Sequence, residues 1–432
     1  MLKIVARPRE QRCPGLVVRT LAYSVNGAQQ PEIWWEIRGR ADVLPSALER
    51  GDFAAVALVF FAMRHRADLH IDDRVSRSLL RNLEEFVSVW SLWRPDLYRR
   101  IRLSAREEVG DAPIEHAAGE AIAAYSGGVD ASFTVYRHAQ GLAGRSTKKV
   151  KAAALIYGLV DIPLGQDDAY EVLASRAQAA LASLDIPLVR IKTNSVRELC
   201  TNWGMEFGTY VAAALMHWQR DVSAALIGSD EDYANVVFPW GGNPITYPML
   251  STDSFRVMYD GAGTNRTQKV GVIAEWEAGT EFLRVCWQSA SPRNCGGCEK
   301  CMRTKLNYLA SRKPIPPSLP GGVPLPALLR MKALAPANLA LLREVHQEAK
   351  ANGVEGAWVR ALQLVIAWNR VGARLVRPYW IGRKLVARLL PVPTPTGKHM
   401  PAADKSFASL EPGASGQAAP QRRERYKEQA VT

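Results

Sequence analysis

The apolar positions of the first 117 residues follow two periods. GLVVRTLAYSV (15–25) and EIWWEIRG (32–39) alternate or run apolar in the manner of strands. DFAAVALVFFAMRHRA (52–67) and DRVSRSLLRNLEEFVSVWSLW (73–93) repeat at helical spacing, and LYRRIRLSA (97–105) alternates again. The expectation is a small α+β unit over 1–117 with no catalytic constellation. Its Trp residues read as core, and so does the His217 of AAALMHWQR further on.

From about residue 119 the pattern becomes strand–helix–strand. AIAAYS (121–126) is a strand, and a helix runs on to about Ala139. KAAALIYGL (151–159), PLVRIKTN (187–194) and SAALIGSD (223–230) read as further buried strands, with YEVLASRAQAALASL (170–184) and GTYVAAALMHWQRD (208–221) as helices between them. Such alternation predicts an α/β unit over 118–312, a mostly parallel sheet with helices on both faces. Ligands of such sheets sit beyond the carboxyl ends of the strands. Ser126, Tyr157–Gly158, Thr193–Asn194 and Gly228–Ser229–Asp230 fall at those ends and are expected to converge on one crevice.

A Pro/Gly-rich connector, KPIPPSLPGGVPLP, opens a third region, 313–390, which reads as a basic helical extension. Residues 391–432 are rich in Pro, Ala, Ser, Gly, Gln and charge and read as a disordered tail. The chain carries a net charge of +13, and residues 327–390 hold eleven Lys/Arg against three acids. That excess favours anionic partners. Residues 358–390 mix Leu, Val, Ile and Trp with Arg, which suits an anionic membrane surface, an acidic protein, or a helix whose apolar side packs on the rest of the chain. Nucleic acid is permitted by the charge but not favoured, because basic and aromatic residues are hardly interleaved. The start, MLKIVARPREQRCPG, lacks a signal-peptide core, and no uncharged apolar run is long enough to span a bilayer. A cytoplasmic protein is the expectation.

The strand–helix junction at Ser126-Gly127-Gly128-Val129-Asp130 carries the first chemistry. Glycines admit positive φ and let amide groups approach an anion, and the following helix adds its positive end. Ser126 can donate a hydroxyl hydrogen bond. Asp130 can orient the loop or help hold Mg2+. A plain glycine turn would use the same letters, but the strand before, the helix after and the αβ repetition favour a phosphate cradle. The pattern is neither a Walker loop nor GxGxxG.

The second signal is CWQSASPRNCGGCEKC. Four of the six cysteines, Cys286, Cys295, Cys298 and Cys301, fall within sixteen residues. Four thiolates can close a tetrahedral structural Zn2+ site, and CxxCxxC spacing also occurs around iron–sulfur clusters.

SGGVDAS resembles the signature of the PP-loop ATP pyrophosphatases, the adenine nucleotide α-hydrolase-like superfamily. With Cys-x8-Cys-Gly-x-Cys-x2-Cys downstream, the stretch 119–312 is similar to the 7-cyano-7-deazaguanine synthases. The resemblance implies that the loop grips the β,γ-pyrophosphate of ATP while an acceptor oxygen attacks the α-phosphorus. AMP is transferred, and ammonia then yields an amide or nitrile, so the implied enzyme is a carbon–nitrogen ligase. Ala131 stands where that family commonly has Ser, whereas Ser132 matches the next hydroxyl. YGLVDIPL and GSDEDYANVVFPWGGNPITYP lack the family's substrate-recognition patterns, so the acceptor stays a carboxylate-type small molecule or carrier-bound group.

On this reading Asp130 and Asp230 are catalytic. Ser126, Gly127, Gly128, Val129, Asp130, Ser132, Tyr157, Gly158, Gly228, Ser229, Arg266 and Lys269 bind the nucleotide, and the four cysteines bind metal. Glu231 and Asp161 are further acidic candidates near the crevice. WGGNPITYPMLSTDSF (240–255) is a candidate wall of the acceptor pocket through Asn243, Ser251 or Asp253. A tRNA-modifying enzyme of the same superfamily, a non-catalytic nucleotide-binding scaffold and transfer onto another macromolecule are the alternatives.

Overall fold

The computed structural model describes residues 2–111, 119–159, 162–286, 291–331, 333 and 336–371. Asp161, residues 372–390 of the basic stretch, the 391–432 tail and the expected boundary at 117/118 lie outside the described residues.

The chain begins with β1 (Leu2–Cys13), β2 (Leu16–Val25), β3 (Ala28–Gln29) and β4 (Ile33–Arg38). There follow α1 (Asp52–His65), β5 (Ala67–Ser76), α2 (Arg77–Trp93) and β6 (Leu103–Val109). The second part runs β7 (Glu120–Ala124), α3 (Val129–Ala139), β8 (Lys149–Tyr157), α4 (Asp167–Ala182), β9 (Leu188–Thr193), α5 (Ser195–Leu199), α6 (Trp203–Leu215) and β10 (Ala224–Gly228). It continues with β11 (Arg256–Asp260), α7 (Arg266–Ile273), α8 (Glu277–Glu281), α9 (Glu299–Ala310), α10 (Leu325–Leu329) and α11 (Pro336–Ala351), and residues 357–371 are helical.

All eleven strands join in one sheet, in the order β11-β10-β7-β8-β9-β4-β2-β1-β5-β6, with β3 beside β2. β11, β10, β7, β8 and β9 are mutually parallel. Counted from β7 in chain order, they lie 3-2-1-4-5, the doubly wound order in which the chain reverses its direction of travel between the first and fourth strands. The α/β expectation with helices on both faces is met. α6 covers one face together with α1 and α2, and α3 and α4 cover the other.

The expected α+β and α/β units share this sheet. β4 pairs antiparallel with β9, setting Trp35 opposite Thr193 and Ile37 opposite Ile191. Asn194 stitches the junction: its Oδ1 accepts from Trp34 N at 2.9 Å and its Nδ2 donates to the Glu32 carbonyl at 2.9 Å. α1 packs on α6, and a single apolar core runs from Ile4 and Trp35 through Phe60 to Ile191 and Trp218.

β1, β5 and β11 are strands that the apolar pattern does not mark. In β1 the alternation is blurred by Arg7, Arg9, Glu10, Arg12 and Pro8. Beyond Ala6 that strand has β2 as its only neighbour among the described residues, and an open side tolerates both charge and a proline without an N–H. Residues 357–371 bury Leu362 and Val365 against α11, and leave Leu364 and Trp368 exposed.

Candidate anion site and metal centre

The glycine loop lies where the topology reverses, between the carboxyl ends of β7 and β10. Gly127 turns at φ +72°, a region open to glycine at no steric cost, and its carbonyl accepts from Arg284 N at 2.8 Å. α3 then starts with no side-chain cap at Gly128, so its first amides are offered to the crevice. Ser126 is exposed at the mouth, its Oγ 3.4 Å from Gly128 N, while Val129 is buried and anchors the helix below. Gly228, at the end of β10, lets α3 come close: a β-carbon there would stand 2.6 Å from the Asp130 carbonyl oxygen. Ser132 lies on the inner side of α3, fully buried beside the Tyr125 hydroxyl, and so sits under the loop instead of at its mouth.

Asp130, Arg266 and Lys269 meet at this point. Arg266 Nη1 donates to Asp130 Oδ2 at 2.7 Å, and Lys269 Nζ lies 3.4 Å from Oδ1. Lys269 also donates to the Ser229 carbonyl at 2.6 Å and to its hydroxyl at 2.7 Å, which gives buried Ser229 its role. Both cations are nearly inaccessible, at 8% and 1% of full exposure. Burial pushes the Asp130 carboxyl up, but Arg266, Lys269 and Lys300 outweigh it and hold the group below the usual carboxylate range. The i, i+3 spacing of Arg266 and Lys269 works because Asn265 caps α7 with a capping box: its side chain accepts from Gln268 N and its own N–H meets the Gln268 side chain.

Asp230 lies nearby under a lid. Trp240 Nε1 donates to its Oδ2 at 2.5 Å and the Tyr259 hydroxyl to its Oδ1 at 3.0 Å. A β-carbon on Gly242 would stand 2.7 Å from the same Oδ1. Burial raises the Asp230 pKa, and the charge of Asp130 adds to that. Trp240, Gly242 and Tyr259 were invisible as site residues in the sequence, although the loop that carries the first two was marked. The residues marked within that loop serve its shape. Asn243 accepts from Ile245 N and Thr246 N and donates to the Trp240 carbonyl. Ser251 Oγ accepts from Val257 N, Asp253 pairs with Arg81, and Glu231 accepts from Val237 N.

Tyr157 and Gly158, expected at the nucleotide, lie at the end of β8, which flanks β7 on the side away from β10, and the Tyr157 ring is fully buried in the core under α4. The Tyr157 ring stacks on Tyr170 at 4.4 Å and its hydroxyl accepts from Gln166 N at 2.7 Å, so it braces the turn after β8. Gly158 N closes that turn on the Ile162 carbonyl at 3.3 Å.

The four cysteines converge as expected. Their sulfurs all lie within 4.8 Å of one another, at 3.9 Å for Cys286–Cys298 and 4.0 Å for Cys295–Cys301. A tetrahedral ion with metal–sulfur bonds of about 2.3 Å spaces its sulfurs about 3.8 Å apart, so the cluster can hold a single metal ion such as zinc. An iron–sulfur cluster puts several metal atoms between its thiolates and needs them farther apart. Amides brace the knuckle, with Cys298 N donating to Cys295 Sγ and Cys301 N to Cys298 Sγ. Lys305, one turn further along α9, donates to the carbonyls of Gly296 and Pro320, both at 2.7 Å. Nothing in its sequence context marked it.

No family model, curated protein or solved structure matches the chain. Among the described residues no helix is long and apolar enough to cross a membrane.

Proposed function

We propose that the chain is an ATP-dependent enzyme of the PP-loop type, similar in chemistry to the 7-cyano-7-deazaguanine synthases. A carboxylate oxygen of the acceptor attacks the α-phosphorus of ATP, the bond from that phosphorus to the β-bridging oxygen breaks, and pyrophosphate leaves. Ammonia or an amine then attacks the acyl carbon, AMP departs with the carboxylate oxygen, and the nitrogen loses a proton to give an amide. A second activation of the amide oxygen would give a nitrile.

One observation carries this reading: a glycine loop with an uncapped helix start lies at the reversal point of a doubly wound sheet, beside two buried cations held by one aspartate. The loop amides and the α3 terminus suit the β,γ-phosphates. Arg266 and Lys269 suit the charge that grows on the leaving pyrophosphate. Asp130, committed to those two cations, is a positioning group. Asp230, half-buried and close enough to feel Asp130, is the carboxylate suited to Mg2+, which would neutralise phosphate charge when bound. The four cysteines are assigned to a structural Zn2+, since four thiolates leave no open position.

The test is AMP release from α-labelled ATP with Mg2+, carboxylates (carboxy-deazaguanine first) and ammonium. AMP formation that needs an acceptor and falls at least about 100-fold in Asp130→Ala is expected. Tight ATP binding with no AMP from any acceptor would instead make the chain a nucleotide-binding scaffold.

A further inference from the structure

The helix at 357–371 has two apolar sides. Val359, Leu362, Val365 and Ile366 are buried in one cluster with Leu339, Leu342 and Val345 of α11. Leu364, Ala367, Trp368 and Val371 recur at i, i+3, i+4 and i+7, which puts them together on the outward side. With Val365 and Leu329 of α10 they line an open groove of about 440 Å3. Trp368 is 79% exposed and Leu364 63%. Single exposed apolar residues are ordinary, but of the twelve large ones exposed among the described residues, five (Leu325, Leu329, Leu364, Trp368 and Val371) lie on these two helices.

The charge along this face has one sign. Arg330 follows Leu329, Arg370 precedes Val371, and Arg360 lies one turn before Leu364; all three are exposed. The acids of α11 are turned to α7: Glu344 accepts from Thr267 N at 2.9 Å, and Glu348 from Asn265 Nδ2 at 2.6 Å and Gln268 Nε2 at 3.0 Å. Glu355, just before the helix, is exposed. From there to residue 390 the sequence holds seven Lys/Arg and no acid.

Such a face makes two demands. Its Leu, Val and Trp gain by leaving water, and its guanidinium groups gain by meeting anions. A soluble polyanion answers only the second. A bilayer with anionic headgroups answers both, because the acyl region takes the apolar side chains while long Arg stems reach back to the phosphates. Tryptophan, with an apolar ring and a polar N–H, suits that boundary. The acid-free mixture of Leu, Val, Trp and Arg also continues for nineteen residues past the groove, which matches an extended surface better than a pocket-sized partner. We propose that the outward face of the 357–371 helix, with α10, docks on an anionic lipid bilayer, on which the chain lies peripherally.

The test floats the full chain with vesicles of equimolar phosphatidylglycerol and phosphatidylcholine, and with vesicles of phosphatidylcholine alone. Binding to the anionic vesicles is expected, weaker by about 10-fold or more on phosphatidylcholine and in high salt. The double variant Leu364→Ser/Trp368→Ser should bind about 30-fold more weakly or worse, since two large apolar groups no longer leave water. It should melt as the wild type does, because both side chains are exposed. Arg360→Glu/Arg370→Glu should cost roughly 10-fold. A chain that ignores anionic vesicles overturns the proposal, and so does wild-type binding by the Ser variant, which would place the contact elsewhere. A Ser variant that melts lower also overturns it, and means that the chain's own segment beyond 371 covers the face. A concentration-dependent dimer that the Ser variant loses, without vesicle binding, gives the face to a second copy. Polyglutamate bound as tightly as the anionic vesicles, and equally by the Ser variant, gives the charge to an acidic protein.

Discussion

His217 lies between Trp35 and Phe53 in the shared core, with Arg19 Nη1 3.2 Å from its Nδ1. Burial, and then the Arg19 charge, push its pKa well below the ordinary 6.5. The folded chain holds the ring neutral, so the unfolded chain binds the extra proton on acidification. Stability from this group is complete above about pH 6.5 and is lost as pH falls below it, by up to about 1.4 kcal/mol per pH unit. Urea unfolding between about pH 5 and pH 7 should show that slope in the wild type and a flatter one in His217→Gln; equal slopes would refute the assignment. Its packed role was readable from the apolar helix around it. Arg266 and Lys269 were readable too, because their i, i+3 spacing is local.

The glycine loop with α3, α7 and the cysteine knuckle with α9 are the elements that make the site. The knuckle is short, and its ends are held by Cys sulfurs and by Lys305 bridging Gly296 to Pro320. Metal binding there should therefore be folding energy for α9. A strong chelator at neutral pH is expected to remove one ion per chain and lower the melting temperature by roughly 10 °C or more, with recovery on adding Zn2+. Metal content by mass spectrometry and the melting curve check this together, and Cys298→Ser should behave as the chelated protein does. The loop, α3 and the knuckle were legible because each is specified within about twenty residues by period or spacing, whereas α9 was not read from the sequence. The acidic partner of the lid was harder to read. Asp230 was marked, but Trp240 and Tyr259 reach it from a loop and from a strand that the apolar pattern did not show.

One sheet unites the whole molecule. The β4–β9 pairing and the α1–α6 packing give the parallel half its cover, so residues 119–371 made without 1–111 would expose the edge of β9 and the apolar side of α6. That fragment is expected to aggregate, which light scattering and gel filtration would reveal; a monodisperse, cooperatively melting fragment would contradict it. The amino-acid sequence by itself determined the α/β alternation, the position of the glycine loop at a strand's carboxyl end, and the four-thiolate spacing. Each of these depends on residues close together along the chain. Only the tertiary structure decided that the two expected units share a sheet and that Asp130 is tied to Arg266 across 136 residues. Those outcomes turn on which distant strands pair and which helices stack. Apolar period cannot encode that choice, because it tells a residue which way to face and leaves open what it will face.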